Sequence, residues 1–385
     1  DRRFVGRTQV QTMSASAIIF RDRSIPKSSM GSSVSRGPAV SIARTGRPRS
    51  IRGSSTAGVA MSLPKPKVLI LFTSFRCDAR CIMCYTWVKQ RWERQLSIEE
   101  IDRIVSDPFL AGSIEVVNLT GGEPTLRPDL ARIVEILADR CRHLRSIDIP
   151  TNGFEPARVV DRIEQVLAVL AMTQIELAVT CSVDGVGSVH ETVRGRPGVF
   201  PKIQQTIEEL KELREVYPRL RLGMNTVISR ENARPEQLEA MRVFARSMEI
   251  GLNFTPAALS EVGVESVAQG EGFLISSEQA PGVIDFFERM GREGALDPGY
   301  ADFVVHWLRT GRRSLGCAFR DGKTFLVEPN GRAYLCGNYK DFYLGNLLEQ
   351  GLSDVWPAQR RFTKEQWNRR CGTCVSNCYI GDALG

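Results

Sequence analysis

Six short runs rich in β-branched and aliphatic residues recur along the middle of the chain, at residues 68–73, 114–119, 145–150, 175–183, 221–228 and 250–255. Between them lie stretches whose apolar positions repeat every three to four residues, at 97–105, 128–141, 156–170, 201–216 and 235–248, the spacing of a helix that buries one face. Several helix starts are written into the sequence. Ser97 followed three residues later by Glu100 predicts a capping box, and Pro201 and Pro235 stand where the first turn tolerates a residue without an amide hydrogen. Strands alternating with helices predict an α/β protein with a parallel sheet and right-handed crossovers, either doubly wound or curled into a partial barrel. Functional side chains are then expected at the C-terminal ends of the strands.

After residue 256 the texture changes. Residues 257–300 are less regular, broken by Gly263, Gly270, Gly272 and Pro281-Gly282, with a helical pattern only at 283–290. From Cys317 the chain reads as a small cysteine-bearing appendage. Two β runs at 323–327 and 332–336 flank Glu328-Pro329-Asn330-Gly331, and an Asn-Gly in that setting predicts a hairpin. Leu344-Gly345-Asn346-Leu347 and a short helix around Trp356 follow. The organisation expected is a tail over 1–60, the α/β body over 61–256, a connector or lid over 257–312 and the appendage over 313–385.

Composition narrows the function classes. The 385 residues are 42% hydrophobic and 25% charged, which is ordinary for a folded protein. The longest unbroken apolar run, 166–172, is far below the roughly 20 residues of a membrane-spanning helix. Residues 1–60 hold eleven Arg and Lys against two Asp, a balance of +9, so of the formal +7 the rest of the chain carries −2. A near-neutral body lacks the basic bias that phosphate-backbone binding brings, so a nucleic-acid partner is not expected. The Ser-, Gly- and Arg-rich tail is read as disordered. Its composition resembles an organellar transit peptide, while the simpler reading takes Met61 as the start and the upstream residues as extra translated sequence. Ten cysteines without a signal-peptide core point to reduced thiols in the cytoplasm rather than to a disulfide scaffold.

Three of these cysteines fall directly after the first strand, in Cys77-Asp78-Ala79-Arg80-Cys81-Ile82-Met83-Cys84. A structural zinc site closes with four ligands, and this loop offers three and no histidine. A cube of iron and sulfide held by three thiolates leaves one iron open to a ligand, which is a catalytic arrangement. A zinc knuckle or incidental thiols is the alternative. The C-x3-C-x2-C spacing of Cys77, Cys81 and Cys84 resembles the signature of the radical S-adenosylmethionine (SAM) superfamily. That resemblance implies a partial (β/α)6 TIM-like barrel in which a 4Fe-4S cluster binds SAM through its open iron. Reduction then cleaves SAM to methionine and a 5'-deoxyadenosyl radical, which abstracts hydrogen from a substrate. It also implies an electron donor such as flavodoxin or ferredoxin.

Further segments resemble the same family. Thr120-Gly121-Gly122-Glu123-Pro124 after the second strand is similar to its GGEP segment, and the resemblance implies that Gly121, Gly122 and Glu123 contact the SAM amino group. Asn152 in Thr151-Asn152-Gly153 occupies a position often polar in the family. On the fourth strand Thr180, Ser182 and Asp184 alternate onto one face, and the resemblance directs Ser182 and Asp184 toward the methionyl and ribose parts of SAM. His190 with Arg194-Gly195 resembles an H-x3-R-G segment in which the arginine pairs with the SAM carboxylate, whereas His190 itself is expected to be structural. Asn225 resembles a SAM-contacting asparagine, with a turn-capping role left equally open.

The appendage carries Cys317, Cys336, Cys371, Cys374 and Cys378. A zinc ribbon would use four of them. The hairpin and the closing cysteines resemble instead the twitch or SPASM appendage of radical SAM enzymes, a small α+β iron-sulfur domain. The resemblance implies a second 4Fe-4S cluster on Cys317, Cys336, Cys371 and Cys374, with Cys378 an alternate ligand or free thiol. Such a cluster suits oxidation or other modification of a peptide or a small molecule, two substrate classes held level. A non-catalytic iron-sulfur or zinc binding protein and an RNA-modifying enzyme of the same superfamily are the competing readings.

Overall fold

The nine strands of the computed structural model, which describes residues 63–91 and 94–376, form a single sheet in the order β6-β5-β4-β3-β2-β1-β7-β8-β9. The tail expected to be disordered and Cys378 lie outside the described residues. Strands β1 (Val68–Ser74), β2 (Val116–Gly121), β3 (Ser146–Thr151), β4 (Glu176–Ser182), β5 (Leu220–Ile228) and β6 (Gly251–Pro256) follow one another across the sheet and pair in parallel. A doubly wound sheet reverses its strand order at a switch point. This one does not, so the order is that of an open partial barrel.

Alternation along the strands builds the two faces. Val117, Leu119, Ile147, Ile149, Leu177 and Val179 are fully buried in the apolar layer, into which the helices bring Ile133, Leu137, Val159, Ile163 and Leu210. The opposite face is also buried, apolar on β1 at Val68, Ile70 and Phe72 and polar across the middle of β2, β3 and β4. Asp148 accepts hydrogen bonds from Asn118 Nδ2 and, at 2.9 Å, from Thr180 Oγ1, and burial pushes its carboxyl up to about 6. Three adjacent strands thus satisfy one another's polar side chains inside the barrel.

The expected helices form where the spacing placed them, at Ile98–Val105, Leu130–Arg140, Pro156–Leu170, Phe200–Val216 and Pro235–Met248. Ser97 accepts the amide of Glu100 at 3.2 Å while the Glu100 carboxylate takes the Ser97 amide at 2.9 Å, completing the capping box. No helix of the described residues is long and apolar enough to cross a membrane.

The appendage is less separate than its sequence texture suggests. Its hairpin strands β7 (Thr324–Val327) and β8 (Arg332–Tyr334) pair antiparallel, but β7 also pairs in parallel with β1, from Val68 opposite Thr324 to Leu71 opposite Val327. With β9 (Tyr343–Asn346) the hairpin therefore extends the barrel sheet beyond its first strand. Trp356, buried behind this extension, donates its indole hydrogen to Pro64 O at 2.8 Å. The stretch read as connector or lid divides in two. Residues 257–264 contribute to a cavity wall, while helices Ala280–Arg292 and Pro298–Thr310 pack together around Phe254, Phe286, Phe287 and Tyr300. Tyr300 donates to Phe254 O at 2.6 Å, which ties this pair to β6.

Candidate active site

The loop after β1 has almost no regular structure of its own, so its shape is imposed by neighbours. Gly122 N–H donates to Ser74 O and Glu123 N–H to Arg76 O, each at 2.8 Å. A Cβ on Gly122 would lie 1.9 Å from Arg76 O, and one on Gly121, whose φ is +140°, would lie 2.0 Å from Ser74 O. The two glycines, expected to let backbone approach a ligand, let β2 approach the cysteine loop. Gly122→Ala must therefore push the loop off the strand. We expect a loss of about 1–3 kcal/mol, the usual cost of overpacking, seen as a lower anaerobic unfolding temperature; an unchanged temperature would contradict the contact.

From the other side the helix Ser188–Arg194 holds the same loop. Arg80 N–H donates to Arg194 O and Ile82 N–H to Val193 O, both at 3.0 Å. Gly195 takes a left-handed conformation against Arg80 O, where a Cβ would come within 2.2 Å. Asp78, between the first two cysteines, accepts Asn152 Nδ2 at 2.6 Å and Arg158 Nη2 at 2.8 Å, and Arg196 Nη1 reaches Asp78 O at 2.7 Å. Cysteine spacing gave no signal for Asp78, Arg158 or Arg196 as anchors.

So held, Cys77, Cys81 and Cys84 line one cavity of about 400 Å³. Burial raises all three thiols: Cys77 well above its usual value, Cys81 to about 11 against the pull of Arg194, and Cys84 upward despite its contact with Thr86 Oγ1 at 2.9 Å. Buried thiols of this kind stay protonated until a metal compensates the charge, so loading releases protons. Among the described residues no three His, Cys, Asp or Glu side chains are drawn together as a single-ion site; the thiols share a cavity wall instead. A set of three thiols and nothing harder fits an iron-sulfur cluster with one open iron.

The residues expected around SAM fall into two groups. Gly121, Gly122, Glu123, Asn152, Ser182, Arg194 and Asn225 all line the cavity. One expectation is corrected. Asp184 is not a lining residue: β4 ends at Ser182, strand alternation stops there, and Asp184 turns under the floor. Fully buried, it pairs with Arg194 Nε at 2.7 Å and accepts Val227 N–H at 2.7 Å. Glu123 lines the cavity; its Oε1 accepts Thr125 N–H, Thr125 Oγ1 and Thr151 Oγ1 and its Oε2 accepts Asn152 N–H, at 2.7 to 3.1 Å. Burial raises its pKa, and these donors stabilise its ionised form.

Arg194 is the charged side chain best placed to meet a carboxylate. Asp184 fixes its Nε, and Nη1 lies 3.6 Å from Cys81 Sγ. His190 serves this arrangement from behind: its Nδ1 accepts Asp184 N–H at 3.2 Å, its ring meets Phe154 and Phe200 edge-on, and burial together with Arg194 holds its pKa near 3. Asn225 Oδ1 accepts Asn253 Nδ2 at 3.1 Å and Thr255 Oγ1 at 3.0 Å, an interstrand clasp rather than a turn cap. Cys141 and Cys181 are core thiols, each pushed up to about 12 by burial.

Cys317, Cys336, Cys371 and Cys374 line a second, narrower cavity. Arg313 staples its rim, donating to Gly316 O at 2.6 Å and Ser376 O at 2.7 Å. Burial again raises Cys317 and Cys336, and Cys371 to about 12. Four thiols without a histidine fit a fully ligated cluster.

Residues 71–239 match the radical SAM superfamily, and residues 317–378, a span that begins and ends on a cysteine, match SPASM, an iron-sulfur cluster-binding domain. The chain belongs to the SPASM-bearing radical SAM enzymes, whose barrel domain binds SAM and a 4Fe-4S cluster and whose SPASM domain binds further iron-sulfur clusters. It is 22% identical to the mycofactocin maturase MftC of Mycolicibacterium smegmatis over 82% of this chain and 76% of that protein. It is 22% identical to the antilisterial bacteriocin subtilosin biosynthesis protein AlbA of Bacillus subtilis, over 86% of this chain and 71% of that one. It is 23% identical to the AdoMet-dependent heme synthase of Methanosarcina barkeri, over 86% and 90%. Among solved structures, native anSMEcpe with bound AdoMet shares the fold with a TM-score of 0.56 at 18% identity, covering 80% of this chain and 88% of that one.

Proposed function

We propose that this chain modifies a side chain of a peptide, with Cys77, Cys81 and Cys84 holding the SAM-cleaving cluster and Cys317, Cys336, Cys371 and Cys374 a second one. When bound, the reduced first cluster and SAM supply a 5'-deoxyadenosyl radical for hydrogen abstraction, and the second cluster supplies a site able to accept an electron.

One observation carries the reading. The 400 Å³ cavity has the three thiols on one wall, while Phe319, Gly337, Asn338 and Ser376 belong both to it and to the second thiol cavity. A group reacting there stands between the two sets of cysteines. At about 400 Å³ the cavity is near the lower end of the ~300–1,000 Å³ that encloses one drug-sized ligand, so a cluster on the three thiols and SAM together take most of it. The remaining space suits a side chain better than a whole second molecule. Apart from Glu123 and Arg194, both already partnered, its lining is uncharged.

In this reading Arg194 receives the SAM carboxylate, backbone at Gly121 and Gly122 faces its amino group, and Ser182 and Asn225 face its nucleoside end. Asp184 and His190 are positioning residues. The relatives named for a maturase and for bacteriocin biosynthesis support a peptide, whereas the heme synthase favours a small molecule as the second reading. An electron donor such as flavodoxin or ferredoxin is part of the proposal.

Iron-reconstituted protein, reduced without oxygen, is expected to convert SAM to 5'-deoxyadenosine and methionine. Side-chain-deuterated peptides encoded near the gene should then pass deuterium into 5'-deoxyadenosine. Label arriving only from a tetrapyrrole or another small molecule would shift the assignment to the second reading, and no SAM cleavage at all would remove both.

A further inference from the structure

Asn338 stands where the two cavities meet. Its side-chain Nδ2 donates to Cys374 Sγ at 3.3 Å and to Ser376 Oγ at 2.5 Å, using both amide hydrogens. Its backbone N–H donates to Cys336 Sγ at 3.4 Å, so one residue addresses two of the four sulfurs. Its carbonyl accepts Glu261 N–H at 2.7 Å, and the preceding carbonyl, Gly337 O, accepts Ser260 Oγ at 3.0 Å. Ser260 itself lines the larger cavity. The residue is therefore pinned to the catalytic wall by its backbone and to the second set of thiols by its donors.

We infer that Asn338 is a positioning residue for the second cluster, placing Cys336 and Cys374 against the catalytic cavity and setting the cluster's reduction potential. This rests on the reading that the four thiols bind such a cluster. Hydrogen bonds to ligating sulfur draw off negative charge and favour the reduced state, so each donor raises the potential. The position is also part of the partition itself, because Asn338, Gly337, Phe319 and Ser376 are common to both cavities. Nothing in the sequence marks Asn338, which follows Cys336 by two residues in an unremarkable Cys-Gly-Asn-Tyr.

The test is an anaerobic redox titration of the reconstituted protein, followed by electron paramagnetic resonance, with iron counted in parallel. Wild type should hold about eight irons per chain and titrate in two steps, one of them identified by its response to added SAM. Asn338→Ala removes the side-chain donor and leaves the backbone one; the SAM-insensitive step should move to a more negative potential while the SAM-responsive step stays. Asn338→Asp keeps the shape but puts an acceptor beside sulfur, and should move the same step further in that direction. Should Asn338→Ala shed iron, Asn338→Asp, which keeps the side chain's bulk while removing the donor, carries the test alone. Eight irons with both steps unmoved in these variants overturns the inference. Four irons in wild type itself, with SAM cleavage intact, would instead overturn the underlying assignment of a second cluster.

Discussion

Cys81→Ala should yield a folded protein that makes no detectable 5'-deoxyadenosine and holds about four fewer irons per chain. Cys81 is the most enclosed of the three loop cysteines, fixed by backbone bonds on either side of it, at Arg80 and Ile82, and approached by Arg194 at 3.6 Å. A cube held by only two thiolates has no third protein ligand to fix its open iron toward the cavity. Changes outside the ligand set lower metal affinity or activity by roughly 10–100-fold, and loss of a ligand should exceed that. Cys77→Ala and Cys84→Ala should behave alike, since all three thiols line the same wall. Chromatography of the nucleoside product decides the matter: turnover within tenfold of wild type in any of the three would exclude that cysteine as a ligand.

Cys336→Ala should separate the two halves of the chemistry. The second cavity lies beyond the partition, so reductive SAM cleavage should persist, with 5'-deoxyadenosine still forming. Product should fall by at least about 100-fold, because a hydrogen-abstracted substrate then has no electron acceptor beside it. The informative quantity is the ratio of product to 5'-deoxyadenosine, which should collapse while its denominator survives. Cys317→Ala should do the same from the opposite side of the hairpin. An unchanged ratio would mean that the second set of thiols plays no part in turnover, leaving it a structural role. Loss of both products together would point to damage transmitted through the sheet, a real route given that β7 pairs directly with β1.

That pairing marks a limit of what local patterns reveal. The hairpin was legible from Asn330-Gly331 between two β runs, and β7 and β8 form around that turn. Its docking on β1 joins segments more than 250 residues apart, and no periodicity within either one specifies the partner. Gly121 and Gly122 were legible as a place of close approach, but what approaches is the cysteine loop, a fact carried by Ser74 and Arg76 carbonyls that any residue could supply. Asp184 was placed by strand alternation, which stops applying when the strand ends two residues before it. Asp78 and Asn338 were invisible because their partners, Asn152, Arg158 and Cys374, are distant in the chain.

The sequence by itself determined the elements, their order and the grouping of thiols, because helix period, strand alternation, capping and cysteine spacing are properties of neighbouring residues. Its periodicity alone could not choose between a doubly wound sheet and a partial barrel, since both are written with the same alternation of strand and helix; the resemblance carried by the cysteine loop implied the barrel. Tertiary structure made that choice through strand order, aimed Arg194 by burying Asp184 beneath it, and set Asn338 between two cavities. Each of these depends on contacts between remote segments, whose energies come from burial and pairing that exist only once the chain has closed on itself.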